Sequence, residues 1–235
     1  MFNLLGKKIV LIGFAIILVG QLNAQIRGTF NYLDFASKPY YFGITLAYNS
    51  SNYRVVHSNA FILNDSIRTA ESTVGPGFNL GIVTNLKIGR YFDFRFLPTL
   101  SFTDRNLQYI TTTDRTVDQR IESVYVELPF HVRYKSEPYK DLRMFVVGGV
   151  KYSFDVASKS RSRQAADIVK IAPTDFTAEF GVGLQFFFPY FIFSPELKVS
   201  YGLSNSLIYD NNLEFSTVLD KVMPRTITLS FHFEG

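Results

Sequence analysis

The chain contains no cysteine and no tryptophan, and charged residues make up only 19% of its 235 residues. The lack of cysteine excludes a disulfide framework and any thiolate site. The charged fraction lies below the roughly 25% of ordinary soluble domains, while phenylalanine and tyrosine supply 16% of the residues. This combination favours a β protein that meets lipid.

The formal net charge of +4 does not form a concentrated basic patch. Lys7 and Lys8 account for half of the excess, and they lie in a segment predicted to be removed. The remaining charges are dispersed along the chain, whereas a nucleic-acid site needs clustered lysine and arginine. We therefore expect no nucleic-acid partner.

Residues 1–24 have the three parts of a secretory signal peptide. Lys7 and Lys8 form the charged part, Ile9 to Val19 the apolar part, and Asn23-Ala24 the cleavage region before Gln25. The apolar run is short for a membrane-spanning helix, which needs roughly 20 apolar residues. The sequence therefore predicts a mature protein that leaves the cytoplasm.

The stretch from Met223 to Phe233 alternates between apolar and polar residues with a period of two, as in a strand with two different environments. Its apolar face carries Ile227, Leu229, Phe231 and Phe233, and its polar face Thr226, Thr228, Ser230 and His232. Such a strand needs a neighbour on each edge, or it becomes an aggregation template. We predict a closed sheet in which this last strand pairs with the first.

The same alternation recurs in eight stretches. They are residues 40–49, 78–88, 92–102, 124–135, 142–155, 176–188, 191–201 and 223–233. The connections between them are alternately long and short, which is typical of bacterial outer-membrane barrels. We predict an all-β fold for residues 39–235: an eight-stranded antiparallel transmembrane β-barrel with short periplasmic turns and long extracellular loops. Residues 25–38 form an extended or plug-like periplasmic arm before it, and both termini are periplasmic.

The polar faces of the strands favour this barrel over a soluble lipocalin-like barrel, in which the apolar face of each strand points inward. They carry charges of both signs on strand after strand, as expected for a polar lumen filled by ion pairs. The predicted network is Lys87, Asp93, Arg95, Glu127, His131, Arg133, Arg143, Lys151, Asp155, Glu179, Glu196 and Lys198. Eight strands leave an interior that side chains fill, so we expect no open pore.

Only one set of residues gives a weak indication of catalysis: Ser123, Glu127 and His131, which share one strand face. A serine, histidine and carboxylate set would indicate a hydrolase acting on lipid A or peptides. Strand residues four apart lie about 13 Å from each other, so packing partners in the lumen are the favoured interpretation. His57 and His232 lie in other segments without metal-ligand spacing. We predict a non-enzymatic protein without cofactor or metal.

The loop with Lys159, Arg161 and Arg163 is basic, and we expect it to face solvent or lipopolysaccharide. Outer-membrane lipid and lipopolysaccharide are therefore predicted partners.

The segment Asn31-Tyr32-Leu33-Asp34-Phe35, followed by Lys38-Pro39-Tyr40-Tyr41-Phe42-Gly43-Ile44, resembles the PorT family of Bacteroidota outer-membrane β-barrels. The ending Phe231-His232-Phe233 agrees with an outer-membrane barrel terminus. The resemblance implies a component of the type IX secretion system, needed to export proteins with a C-terminal sorting domain and, in gliding bacteria, motility adhesins.

The same resemblance implies no active-site motif. It implies other type IX secretion subunits as partners, bound by the arm (Asn31, Tyr32, Leu33, Asp34, Phe35) or by the external loops. The expected lack of an open pore agrees with an accessory or assembly role. Two alternatives stay open at this point. One is the barrel enzyme acting on lipid A or peptides, and the other is an adhesive or structural surface barrel.

Overall fold

The computed structural model describes residues 31–58, 67–111, 116–156, 170–208 and 219–235. The predicted signal peptide, the beginning of the arm and the basic loop around Arg161 lie outside these residues. Within the described ranges, no helix is long and apolar enough to cross a membrane.

The described residues form one short helix and twelve strands, some of which are pieces of one continuous wall strand. The elements are α1 (Tyr32–Ala36), β1 (Tyr40–His57), β2 (Ile67–Thr73), β3 (Gly75–Ile88), β4 (Phe92–Phe96), β5 (Thr99–Thr111), β6 (Thr116–Lys135), β7 (Leu142–Asp155), β8 (Lys170–Ile171), β9 (Thr174–Phe187), β10 (Ile192–Gly202), β11 (Leu207–Ile208) and β12 (Leu219–Glu234).

The sheet closes through β1, which pairs antiparallel with β12 on one edge and with β3 on the other. Ile44 faces Phe233 in the first pairing and Ile82 in the second. Around the ring follow β4 with β5, then β6, β7, β9, β10 and β12. β4 and β5 form one wall strand interrupted at Pro98, which has no N–H to donate. The predictions of an eight-stranded barrel and of a last strand paired with the first are confirmed.

The two faces of each wall strand meet opposite environments. In β1, Phe42, Ile44 and Leu46 are about half exposed, whereas Thr45 and Asn49 are buried. From Thr226 onward, β12 shows the same alternation, with the polar residues buried and the apolar ones exposed. The apolar surface therefore faces outward, which is the reverse of a lipocalin-like barrel. Hydrocarbon can cover such a surface because closure leaves every wall strand paired.

The strands extend further than the apolar pattern predicted. β1 continues to His57, and β12 begins at Leu219 rather than near Met223. The long connection predicted between residues 49 and 78 includes β2, and the one predicted between residues 102 and 124 contains parts of β5 and β6. Pairing continues there, with Arg54 opposite Met223. A strand outside lipid needs no apolar face, so the period-two signal ends before the strand does.

The barrel has a short-turn end and a long-hairpin end. The short-turn end carries residues 89–91, 136–141 and 188–191, together with α1. The long-hairpin end carries the extensions of β1, β2, β5, β6 and β12.

Two adjacent glycines of β7 provide a test of the wall packing. A Cβ on Gly149 would lie 2.0 Å from the carbonyl oxygen of Phe130, whereas a Cβ on Gly148 would lie 3.7 Å from its nearest neighbour, Phe180. Gly149→Ala is expected to lower the free energy of unfolding by about 2 kcal/mol through overpacking. Gly148→Ala is expected to leave it nearly unchanged. Urea unfolding of both variants in lipid vesicles measures this; equal stabilities would contradict the assigned register.

Candidate functional site in the sealed lumen

The interior of the barrel is filled by large charged and polar side chains. Arg95, Arg133, Glu179, Glu196 and His131 are all almost completely buried. Strand alternation places them inward, on the face opposite the lipid-facing residues. A buried charge is costly unless it is paired and hydrogen-bonded, so their partners determine what the lumen can do.

Arg95 connects opposite walls of the barrel. Its Nη1 lies 2.9 Å from Glu196 Oε2, and its Nη2 lies 2.6 Å from Glu234 Oε1. Arg95 belongs to β4, Glu196 to β10 and Glu234 to β12, so these bonds cross the lumen. Both pairs are completely buried, which makes them charge-assisted bonds in a region from which water is largely excluded.

Arg133 forms the largest set of contacts in the same half of the lumen. Its guanidinium donates to Asp93 Oδ2 from Nη2 at 2.6 Å and from Nε at 3.1 Å. The Nη2 atom also donates to Asn85 Oδ1 at 3.0 Å and to the Tyr41 hydroxyl, and Nη1 lies 3.7 Å from Glu234 Oε2. One side chain of β6 therefore contacts β1, β3, β4 and β12.

A second group of charges centres on Glu179. Its carboxylate lies 2.6 Å from His131 Nε2, 3.1 Å from Lys198 Nζ and 3.3 Å from Lys151 Nζ. Lys151 also donates to Glu127 Oε1 at 2.9 Å. This group joins β6, β7, β9 and β10 across the interior.

These contacts separate the serine, glutamate and histidine considered as a hydrolase set. His131 bonds to Glu179, and Glu127 bonds to Lys151. Ser123 is eight residues from His131 along β6, which is about 27 Å at the rise of an extended strand. The three side chains do not form a nucleophile, base and orienting acid in direct contact.

Two of the residues predicted for the ion-pair network, Arg143 and Lys87, have aromatic and backbone partners at the short-turn end, and a third, Asp155, lies at the end of its strand. Arg143 stacks over the rings of Tyr32 at 4.6 Å and Phe187 at 5.6 Å. Lys87 donates to the backbone carbonyl of Phe35. Asp155 lies half-buried at the end of β7.

Sequence reasoning missed three members of the buried charge network. Glu234 contacts both central arginines, Lys135 contacts Asp93, and His232 Nε2 lies 3.5 Å from Glu196 Oε2. All three occupy inward positions of strands whose alternation was recognised. The signal was therefore present in the period-two pattern itself.

An aromatic group closes the short-turn end, and we call it the floor plug: Tyr32, Phe35, Tyr41, Phe187 and Ile192. Phe35, Tyr41, Phe187 and Ile192 are buried together, and Tyr32 packs against them. The Tyr32 ring meets the Phe187 ring edge-on at 5.3 Å. The arm thus ends in a helix that inserts Phe35 into the mouth of the barrel.

The five residues of the predicted partner-binding arm divide into inward and outward groups. Tyr32 and Phe35 belong to the floor plug, and Asn31 Nδ2 donates to the Phe187 carbonyl at 3.2 Å. Leu33 and Asp34 face away from the barrel, and Leu33 is 55% exposed. The aromatic part of the arm closes the barrel, and Leu33 and Asp34 are its exposed residues.

Toward the long-hairpin end, the lumen is filled by a group that we call the upper plug: Tyr53, Arg105 and Tyr125. All three side chains are buried, as are Tyr109 and Leu219 further along the strands. The Arg105 guanidinium lies 5.0 Å from the Tyr53 ring centre and 5.3 Å from that of Tyr125, and it donates to both hydroxyls at 3.3 Å. Tyr53, Arg105 and Tyr109 lie in stretches predicted to be polar connections.

The turns at the short-turn end are joined by Glu137. Its carboxylate accepts hydrogen bonds from the Tyr91 hydroxyl at 2.6 Å and from Arg90 Nη2 at 3.0 Å. The Tyr91 hydrogen bond, helped by Arg90, lowers the pKa of Glu137. The contact links the β3–β4 turn to the β6–β7 turn outside the barrel wall.

Comparison with known proteins identifies the architecture. Residues 21–207 match the family described as outer membrane protein beta-barrel domain. No curated protein matches the sequence. Among solved structures, Neisserial surface protein A is similar over 83% of this chain and 97% of its own, with 8% identity and a TM-score of 0.44. OprG from Pseudomonas aeruginosa is similar over 83% and 95%, with 10% identity and a TM-score of 0.47. Ail of Yersinia pestis is similar over 84% and 100%, with 13% identity and a TM-score of 0.38.

Proposed function

Because the chain belongs to the outer membrane protein beta-barrel domain family, we propose that it is a non-conducting outer-membrane barrel that serves type IX protein secretion by binding other envelope components. The observation that carries the non-conducting part is the sealed lumen. Floor plug, cross-lumen ion pairs and upper plug follow one another along the interior. Such a barrel is suited to an accessory or assembly role, with the translocation channel in another subunit.

We also propose how the barrel is oriented in the outer membrane. Bacterial outer-membrane barrels have short periplasmic turns and longer external loops, so the short-turn end and both ends of the described chain face the periplasm. The floor plug then closes the periplasmic mouth. The extensions of β1, β5, β6 and β12 reach out of the cell surface.

The assignment to type IX secretion in a member of the Bacteroidota is supported by the resemblance of residues 31–44 to the PorT family. That stretch includes α1 and the beginning of β1. Tyr190 is 91% exposed and Tyr139 61% exposed in the short turns, and Leu33 is exposed on the arm. Exposed aromatic and aliphatic side chains of this kind suit contact with another protein, so we propose that a secretion subunit binds at the short-turn end.

We also propose that the protein is not an enzyme. The titratable groups of the lumen are paired with one another, as Glu127 is with Lys151 and Glu179 with His131. The cavity beside Glu127 and Lys151 has a volume of about 10 Å³, which is too small for a substrate. An adhesive barrel would instead act through the long hairpins and would not be needed for export.

Deletion of the gene tests the proposed function. Cargo proteins with a C-terminal sorting domain are expected to accumulate in the periplasm, and a plasmid copy is expected to restore export. Immunoblots of periplasm and culture medium measure both. Normal export in the deletion strain would contradict the proposal and leave the adhesive alternative.

A complementing copy with Leu33→Arg examines the binding surface. Since the Leu33 side chain is exposed, the barrel is expected to fold normally while export decreases. Full export with this variant would show that Leu33 is not part of the contact, which would leave Tyr139 and Tyr190 of the short turns or the long hairpins as the binding surface.

A further inference from the structure

Two of the three histidines lie inside the lumen, next to its ion pairs. His131 and His232 are almost completely buried, whereas His57 is exposed at the end of β1. Histidine is the side chain that, when unperturbed, changes its charge between about pH 5 and pH 8. The charges that face the two buried rings therefore determine whether the closed lumen can accept a proton.

His131 contacts a carboxylate that two lysines already neutralise. Its Nε2 lies 2.6 Å from Glu179 Oε2, and the Nζ atoms of Lys198 and Lys151 lie 3.1 Å and 3.3 Å from the same carboxylate. A proton on His131 would therefore add a third cation around one carboxylate. The charges that face the ring come from four neighbouring strands: Arg95 of β4, which is its register partner, Lys151 of β7, Glu179 of β9, and Glu196 and Lys198 of β10.

His232 also lies beside a carboxylate that already has a cationic partner. Its Nε2 lies 3.5 Å from Glu196 Oε2, and Arg95 Nη1 lies 2.9 Å from that same oxygen. Glu234, two residues further along β12, is bonded to Arg95 Nη2. The ladder neighbours of His232 on β1 and β10 are uncharged: Thr45 and Ser194. A proton on His232 would therefore compete with Arg95 for its carboxylates.

The charges that these ion pairs connect cancel without any contribution from histidine. One group has three cations and three carboxylates: Arg95, Arg133 and Lys135 with Asp93, Glu196 and Glu234. The other has two of each: Lys151 and Lys198 with Glu127 and Glu179. All ten side chains are buried. A proton on either ring would therefore give its group a net positive charge, and an unpaired buried charge is costly.

We propose that His131 and His232 make the closed barrel sensitive to acid: both rings are neutral while the lumen is sealed, and they take up protons when the cross-lumen bonds break. Below about pH 6.5 a histidine in an unfolded chain binds a proton. The unfolded state then holds more protons than the closed barrel, so the free energy of unfolding decreases as the pH falls. The stabilisation is complete above about pH 6.5 and is lost progressively below it.

Urea unfolding in lipid vesicles at about pH 7.5 and about pH 5.5 tests the proposal, because unfolded histidine titrates in this interval whereas aspartate and glutamate titrate near pH 4. The unfolding equilibrium constant of the wild type is expected to rise about 100-fold on acidification, about tenfold for each histidine. In the double variant His131→Gln/His232→Gln the new amides can hydrogen-bond but do not titrate, so a rise below about threefold is expected. His57→Gln is the matched control: this histidine is exposed, and the variant is expected to keep the full rise.

The single variants His131→Gln and His232→Gln are each expected to lose one of the two tenfold steps, and they replace the double variant if it does not fold. An equal rise in the wild type and in the glutamine variants would overturn the proposal. An unfolding constant of the wild type that is the same at both pH values would also overturn it, since the closed lumen would then already hold the protons.

Discussion

Replacing Arg133 with alanine is expected to lower the free energy of unfolding by about 3–5 kcal/mol, which is the usual cost of removing one partner from a buried ion pair. Its guanidinium contacts Asp93, Asn85, Tyr41 and Glu234, and no part of the side chain is exposed. In the variant, the Glu234 carboxylate is left with Arg95 as its arginine partner. Asn85 Oδ1 and the Tyr41 hydroxyl lose the hydrogen bonds that Arg133 donates. Urea unfolding in lipid vesicles, followed by circular dichroism, measures the change.

Two further variants separate burial from charge. Arg133→Lys keeps the charge but loses the planar fork that reaches several acceptors at once, so an intermediate loss is expected. Arg90→Ala removes an exposed arginine paired with Glu137, and no measurable change is expected because exposed pairs contribute little. A loss below about 1 kcal/mol for Arg133→Ala would show that the cross-lumen pairs do not support the barrel.

Replacing Phe35 with alanine is expected to release the arm from the barrel mouth. Phe35 is 4% exposed and packs with Tyr41, Phe187 and Ile192. Truncating a buried phenylalanine costs about 3 kcal/mol or more, which is large for a helix of only five residues. Amide hydrogen exchange across residues 31–38 is expected to become about 100-fold faster, since each 1.4 kcal/mol is a factor of ten.

Leu33→Ala is the matched control for the arm, because Leu33 belongs to the same helix and its side chain is exposed. Its exchange rates are expected to remain close to those of the wild type. Unchanged exchange in Phe35→Ala would mean that the hydrogen bonds of Asn31 and Tyr32 hold the arm without the aromatic contact.

The wall of the barrel could be predicted from the sequence because lipid and lumen impose opposite demands on alternate residues. Ile44 and Thr45 illustrate the rule, one facing hydrocarbon and the other buried inside. The alternation of apolar and polar residues ends where the strands leave the lipid. Tyr53 and Arg105 of the upper plug lie beyond that level, so no periodicity marked them.

The partners inside the lumen could not be predicted from the same pattern. Alternation shows that Arg95 and Glu196 both point inward, but 101 residues separate them along the chain. Their meeting depends on the stagger of the strands around the ring, which sequence alternation does not specify. Phe35 is a similar case, since a five-residue helix has no repeat from which docking could be deduced.

Glu234 lies at the far end of β12, yet it contacts arginines of β4 and β6. Both arginines obtain their full set of carboxylates only when β12 is in place between β10 and β1. Closing the cylinder and neutralising its interior therefore depend on the same strand, and a barrel that lacks β12 would leave Arg95 with Glu196 alone.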